Sequence, residues 1–255
     1  MTLTFGSLFA GIGGFEKGFE AAGLRCAWQV EIDPFCQQIL KKHWPHVRRH
    51  DDVRTFPPTP VDDWRVDVIC GGFPCQDISN AGKRAGIDGE RSGLWKEFAR
   101  IVDLLRPDYV VVENVAALRN RGLSRVLGDL AACGYDACWD CFPAKAFGAP
   151  FIRDRLFIVA FRPGRGWDEG WAWGLTQSPT WIQLPAHREN ANEVPGAKGW
   201  AVEPGLDRLV YGISPAVDRL RAVGNSIVPA ITELLGKQLL IAAKEKPDER
   251  AAHRL

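Results

Sequence analysis

Four short, nearly unbroken apolar runs limit most strongly how this chain can fold: LTFGSLF (3–9), CAWQVEI (26–32), VDVICGG (66–72) and DYVVVEN (108–114). They are strand-length, and they do not alternate as strands wetted on one face do. Between them lie segments of helical period: FEKGFEAAG (15–23) closed by Gly23, PFCQQILKKHW (34–44) with Pro34 in its first turn, and GLWKEFARIVDLLRP (93–107) stopped by Pro107. LSRVLGDLAACG (123–134) closed by Gly134 follows, and RDRLFIVAF (153–161) reads as a later strand. Alternating strands and helices predict an α/β fold, a mostly parallel, doubly wound sheet with helices on both faces.

Composition changes after Pro163. Residues 164–205 hold five of the ten tryptophans and little periodicity. The expected division is 1–163 with 215–245 as one domain, 164–214 as a small loop-rich region, and 246–255 as a polar tail. Helical signal returns in VPAITELLGKQLLIAAK (228–244), with Ser226 expected at the N-cap and Pro229 in the first turn. The 255 residues carry a net charge of +1, so nucleic-acid binding would need a local basic cleft rather than a global field. No apolar run is long enough to span a bilayer, and a soluble, cytoplasmic monomer is expected. Seven cysteines without dense spacing argue against a disulfide framework. His43, His46 and His50, like Cys133, Cys138 and Cys141, lack metal-ligand spacing, so no metal is expected.

FAGIGGF (9–15) joins the first strand to the first helix, where open α/β sheets bind nucleotide-like ligands. Gly11 and Gly13 fit a dinucleotide fingerprint, but Glu16 stands where the third glycine should be, which favours an adenosyl group over a pyrophosphate. Glu31, ending the second strand, suits the two ribose hydroxyls, and Asp52 could accept from an adenine amino group. The plainer alternative is a glycine turn with solvated acids.

GGFPCQDIS (71–79) sets a cysteine on a glycine-rich loop beyond a strand. Cys70 reads as a small buried hydrophobe, whereas Cys75, between Pro74 and Gln76, reads as an exposed thiol that loop N–H groups could activate as a nucleophile. Glu113 ends the next strand, where a carboxylate can do acid–base work. Arg153 and Arg155 alternate into RDRLFIVAF, as surface arginines or as anion and base-edge ligands.

The ordered set FAGIGGF, GGFPCQDIS, ENV, RDR and GNSIVPAI resembles the DNA (cytosine-5) methyltransferase family, over residues 4–160 and about 215–240. The short form resembles phage or prophage members. The resemblance implies a Rossmann-like, S-adenosylmethionine-dependent enzyme that methylates carbon 5 of a flipped-out cytosine in double-stranded DNA, in a restriction–modification context. It implies that Cys75 attacks carbon 6, that Glu113 protonates or holds ring N3, and that Arg153 and Arg155 support the base. It assigns Phe9, Gly11, Gly13, Glu31, Ile32, Asp52, Val53, Pro74, Leu94, Asn225 and Ser226 to the cofactor, and Gln76, Ser79, Lys83, Arg84 and Arg91 to DNA. It makes 164–214 the target-recognition region, with Arg165, Gln177, Arg188 and Lys198 as candidate contacts.

Three features depart from the family pattern, one being a short variable region, which implies a short or loosely read recognition site. Phe151 replaces a glutamine before the arginine pair, and Asp218, Arg219 and Arg221 stand where an Arg-Glu-x-Ala-Arg run is usual. Competing readings are an RNA cytosine-5 methyltransferase of the DNA-like type, an inactive nucleic-acid-binding regulator, and a nicotinamide oxidoreductase. Glu16 and the Pro-Cys-Gln loop count against the last.

Overall fold

The structure is a computed structural model that describes residues 2–74, 93–147, 149, 153–164 and 226–244. Seven strands form its sheet: β1 (Thr4–Leu8), β2 (Arg25–Val30), β3 (Arg48–His50), β4 (Val68–Gly72), β5 (Tyr109–Val115), β6 (Asp136–Pro143) and β7 (Asp154–Phe161). Their order is β3-β2-β1-β4-β5-β7-β6. The first five run parallel, and β7 lies antiparallel between β5 and β6. This is the mostly parallel, Rossmann-like sheet expected from the alternation of strand and helix patterns.

The helices are α1 (Gly14–Ala22), α2 (Pro34–His43), α3 (Leu94–Leu105), α4 (Leu118–Arg121), α5 (Leu123–Ala132) and α6 (Pro229–Lys244). One face of the sheet packs on α3 and α5 through Ile69, Val110 and Val112 against Trp95, Phe98, Ile101, Val126 and Leu130. The other packs on α1 and α6 through Phe5, Val68, Cys70 and Val111 against Phe15, Phe19, Ile231, Leu235 and Leu239. Successive residues of β4 and β5 thus enter opposite cores, which is why those strands carry continuous apolar runs. Phe98 has no exposed surface, and truncating it to alanine would cost about 3–5 kcal/mol.

Helix ends follow local chemistry. Asp33 caps α2, accepting from the N–H groups of Phe35 (2.9 Å) and Cys36 (3.2 Å), with Pro34 in the first turn. Gly23 closes α1 in the left-handed region. The expected cap of the last helix is corrected: α6 begins at Pro229, which leaves Ser226 three residues upstream of its first residue. The proline at the helix start fixes this boundary, because its ring presets the first helical φ. Thr232 then donates through Oγ1 to the carbonyl of Gly14 (3.2 Å), tying the C-terminal helix to the start of α1.

Candidate active site

The C-terminal ends of β1, β2, β4 and β5 converge on one edge of the sheet, where ligands of open α/β sheets sit. At the β1 end, the loop of residues 9–13 has three positive φ values: Phe9 (54°), Gly11 (58°) and Gly13 (90°). Phe9 is a non-glycine residue in that region, a conformation that the surroundings must hold. Among the described residues a Cβ on Gly11 would meet nothing within 4 Å, whereas one on Gly13 would strike the Trp44 ring at 2.4 Å.

Glu31, one residue past β2, secures this loop. Its Oε2 accepts from Gly11 N (2.7 Å) and its Oε1 from Asp33 N (2.8 Å). Burial pushes the Glu31 carboxyl above its ordinary range, and the Asp33 and Gly11 N–H groups pull it back. A carboxylate has about four lone-pair sites, so Glu31 keeps acceptor capacity for two further donors. It also lines a polar cleft of ≈ 120 Å³ with Gln37, Lys41, Arg49, His50 and Asp51. Ile32 beside it is 60% exposed, an apolar surface at the rim.

Asp52 caps the single 3₁₀ turn Val53–Thr55 beyond β3. Val53 is buried in the core with Trp28, Phe56 and Trp64. Arg100 of α3 holds both ends of this turn, donating through one Nη to the carbonyls of Val53 (3.0 Å) and Phe56 (2.6 Å). Leu94, the first residue of α3, and Pro74, beyond β4, are both half-buried. Ser226 is likewise half-buried.

Glu16, which breaks the dinucleotide fingerprint, has no exposed surface. Its Oε1 accepts from Gln29 Nε2 (3.2 Å), and Gln29 in turn accepts from Arg49 (3.1 Å). Burial pushes its carboxyl up to about 7. A group facing the interior fills the place where a dinucleotide fold needs glycine for close helix–strand packing.

The other end of the edge is buried. Glu113 of β5 is 7% exposed and sits directly across from Gly72 of β4. A Cβ on Gly72 would stand 2.6 Å from Glu113 Oε2, so glycine leaves room for the carboxylate. Arg155 Nε reaches Glu113 Oε1 at 2.9 Å. Burial pushes the Glu113 carboxyl up to about 7, against the lowering pull of the Arg155 and Arg153 charges. Such a group exchanges its proton near neutrality, as a general acid–base residue must.

Sequence reasoning passed over Asn114. It is 1% exposed, and its Nδ2 donates to the Phe73 carbonyl at 3.1 Å, while its Oδ1 accepts from Val115 N at 2.9 Å. The residue after Glu113 therefore holds the backbone two positions before Cys75. Its place in the ENV motif was the available signal. Cys70 is fully buried, as expected, and burial pushes its thiol well above the ordinary range.

The family model for C-5 cytosine-specific DNA methylase matches residues 3–197. The chain belongs to that family. The Type II methyltransferase M.NgoFVII of Neisseria gonorrhoeae is 33% identical over 166 residues, covering 64% of this chain and 44% of that protein. M2.BsuMI of Bacillus subtilis is 35% identical over 162 residues, 60% of this chain and 41% of that protein. The chain thus spans less than half the length of these relatives. A crystal structure of a candidate DNA modification methyltransferase encoded within an E. coli prophage is similar, with TM-score 0.53 and 26% identity over 63% of this chain and 47% of that one. The Spodoptera frugiperda DNMT2 mutant E260A/E261A/K263A shares the fold, with TM-score 0.55 and 23% identity over 65% of this chain and 52% of that one.

Within this family member the described residues bring together Phe9, Gly11, Gly13, Glu31 and Ile32 at one end of the edge. Glu113 and Arg155 stand at the other, with Arg153 near enough to act on the Glu113 charge. Cys75, Gln76, Ser79, Lys83, Arg84, Arg91, Phe151 and Asn225 lie outside the described residues, as do Asp218, Arg219, Arg221, 165–214 and the tail. No helix among the described residues is long and apolar enough to cross a membrane.

Proposed function

We propose that the chain transfers a methyl group from S-adenosylmethionine to carbon 5 of cytosine in double-stranded DNA, as part of a restriction–modification function. The observation that carries this reading is Glu113: a carboxyl poised near neutrality, paired with Arg155, and directly across from the strand that leads into Pro74-Cys75.

Cytosine carbon 5 is a poor nucleophile until carbon 6 is saturated. The Cys75 thiolate adds to carbon 6, forming the S–C6 bond; the C5=C6 pair becomes C4=C5, and the C4=N3 pair takes a proton from Glu113 at N3, so no negative charge accumulates there. Held at the Glu31 end of the edge, S-adenosylmethionine would supply an electrophilic methyl group, its sulfonium C–S pair leaving with the neutral sulfide. The C4=C5 pair forms the new bond from carbon 5 to that methyl. A base then removes the C5 proton, the C–H pair forms C5=C6, the C6–S pair leaves with the Cys75 thiolate, and N3 returns its proton to Glu113. The base is inaccessible inside a duplex, so it is flipped into the pocket. Arg155, and Arg153 next to the β7 start, keep positive charge beside Glu113. Lys83, Arg84 and Arg91, with Gln76 and Ser79, meet the DNA backbone, and the 164–214 region reads the target.

The residues present fit an adenosyl cofactor. The space that the described residues leave over Gly11, the spare acceptor capacity of Glu31 and the bare apolar side chain of Ile32 suit backbone contact, ribose hydroxyls and an adenine face in turn. Phe9, Gly13, Val53, Pro74, Leu94, Asn225 and Ser226 complete that pocket, and Asp52 faces the adenine amino group.

The test is expression in a host lacking cytosine methylation, with 5-methylcytosine mapped at base resolution. Methylation in a defined sequence context, lost in Cys75→Ala, is the expected result. Folded protein that binds S-adenosylhomocysteine but leaves DNA unmethylated would contradict the assignment.

A further inference from the structure

The glycine loop of residues 9–13 is tied down through its backbone. Ala10 N donates to the Val30 carbonyl (3.1 Å), Gly11 N to Glu31 Oε2 (2.7 Å) and Gly13 N to the Ala10 carbonyl (3.0 Å). Gly13 has no side chain to anchor its end of the loop, and it sits in the left-handed region at φ 90°. A glycine fixed there gives up more conformational freedom than any other residue, so contacts from elsewhere must hold it. The Trp44 ring stands where a Gly13 side chain would stand, because a Cβ there would clash with its Cζ3 and Cη2 atoms. The ring is itself pinned. Trp44 Nε1 donates to Glu20 Oε2 (2.8 Å), its backbone N–H to the Leu40 carbonyl (2.8 Å), and its carbonyl accepts from Arg49 Nη1 (2.7 Å). Arg49 also donates to Gln29 of β2 (3.1 Å), and Gln29 donates to the buried Glu16 of α1 (3.2 Å). The residue that ends α2 is thus braced against the start of α1 at the loop.

We infer that Trp44 is a positioning residue for the cofactor: its ring holds Gly13 in the left-handed conformation and so keeps the loop in the shape that receives the adenosyl group. This rests on the adenosyl-pocket reading above. Trp44 acts through the backbone of the loop and not by touching the ligand. A loop held in advance binds without an ordering cost, and a loop released from the ring pays that cost when the ligand arrives. The effect therefore falls on cofactor affinity and spares the chemistry at Glu113, at the other end of the edge. A ring that only packed α2 against α1 would behave differently. Its loss would lower the melting temperature and leave the affinity of the folded protein unchanged.

The experiment is calorimetric titration of the full chain with S-adenosylhomocysteine for wild type, Trp44→Ala, Trp44→Phe, Gly13→Ala and the double variant of Trp44→Ala with Gly13→Ala. Methylation kinetics are measured alongside. Trp44→Ala should weaken binding about five- to thirtyfold, what the ordering of one backbone residue is worth. KM for S-adenosylmethionine should rise by a similar factor, and kcat at saturating cofactor should change less than about twofold. Gly13→Ala should cost less affinity in the Trp44→Ala background than in wild type, because only its left-handed strain remains once the ring is gone. Trp44→Phe keeps an aromatic ring in the socket but is too short to bring its edge to Gly13, so it should lose affinity in the same direction, and it decides the matter if Trp44→Ala does not fold. Wild-type affinity in the folded Trp44 variants, or strictly additive losses with Gly13→Ala, would overturn the positioning role and leave the adenosyl pocket standing. A wild-type chain that binds no S-adenosylhomocysteine would bring down the pocket reading, and the role of Trp44 with it.

Discussion

Glu31 and Glu113 stand at the same edge of the sheet, one just past β2 and the other near the C-terminal end of β5, and burial raises the carboxyl of each. Their surroundings give them different work. Glu31 is held by two backbone N–H groups at a rim where Ile32 is exposed, so it remains an acceptor with room for a ligand. Glu113 is buried against a glycine and a guanidinium, and burial outweighs the cations enough to bring it to about 7. On the proposed reading, fixed amide dipoles suit Glu31 to binding, and desolvation beside a movable proton suits Glu113 to chemistry.

The comparison breaks first at the buried end. Glu113→Gln, which keeps the shape but cannot deliver a proton, should lower kcat by about 10²–10⁴-fold. It should leave S-adenosylhomocysteine affinity near wild type, by calorimetry. The kcat profile should also change. Wild type needs Glu113 protonated, so activity should decline as pH rises through about 7, and that limb should vanish in the variant. At the open end the split reverses. Glu31→Ala should weaken S-adenosylhomocysteine binding by about 10–100-fold, the loss of charge-assisted hydrogen bonds. With saturating cofactor, its kcat should fall far less than that of Glu113→Gln.

Asn114 sharpens the contrast because it belongs to neither carboxylate. Asn114→Asp replaces the donor to the Phe73 carbonyl with an acceptor. It should reduce kcat about tenfold, through the Phe73 backbone two residues before Cys75, with cofactor affinity unchanged. A parallel loss of both would show that Asn114 only supports the fold.

A separate effect concerns stability rather than catalysis. Glu16 is raised by burial from 4.5 to about 7, so folding favours its protonated form. Its stabilising share is complete at acid pH and is lost as pH rises through about 7. At pH 8 the ionised form costs up to about 3 kcal/mol. Glu16→Gln, which retains the acceptor for Gln29, should flatten the fall in denaturant midpoint between pH 5 and pH 8.

The doubly covered strands were legible because Val68, Ile69 and Cys70, or Val110, Val111 and Val112, cannot all be apolar unless both faces are buried. Gly23 and Pro34 marked their helices through local backbone chemistry. The position of β7 between β5 and β6 was not legible, because strand order depends on long-range pairing that leaves no periodic trace. For the same reason Glu113 could be picked as an acid, but its Gly72 gap and Asn114 tie to Phe73 could not. Asp52 was legible as an acceptor, but its ion pair with Arg54 is a matter of side-chain geometry alone.

The central claim, that Glu113 serves a covalent attack by Cys75, is tested most directly by trapping. A random-sequence duplex with every cytosine replaced by 5-fluorocytosine, incubated with the chain and S-adenosylmethionine, should arrest the reaction after methyl transfer, because fluorine cannot leave as a proton does. The account predicts a denaturation-resistant protein–DNA adduct, mapped by peptide mass spectrometry to Cys75 and reduced strongly in Glu113→Gln. Methylation of unmodified DNA without any adduct on the fluorinated duplex, or an adduct on another cysteine, would contradict it.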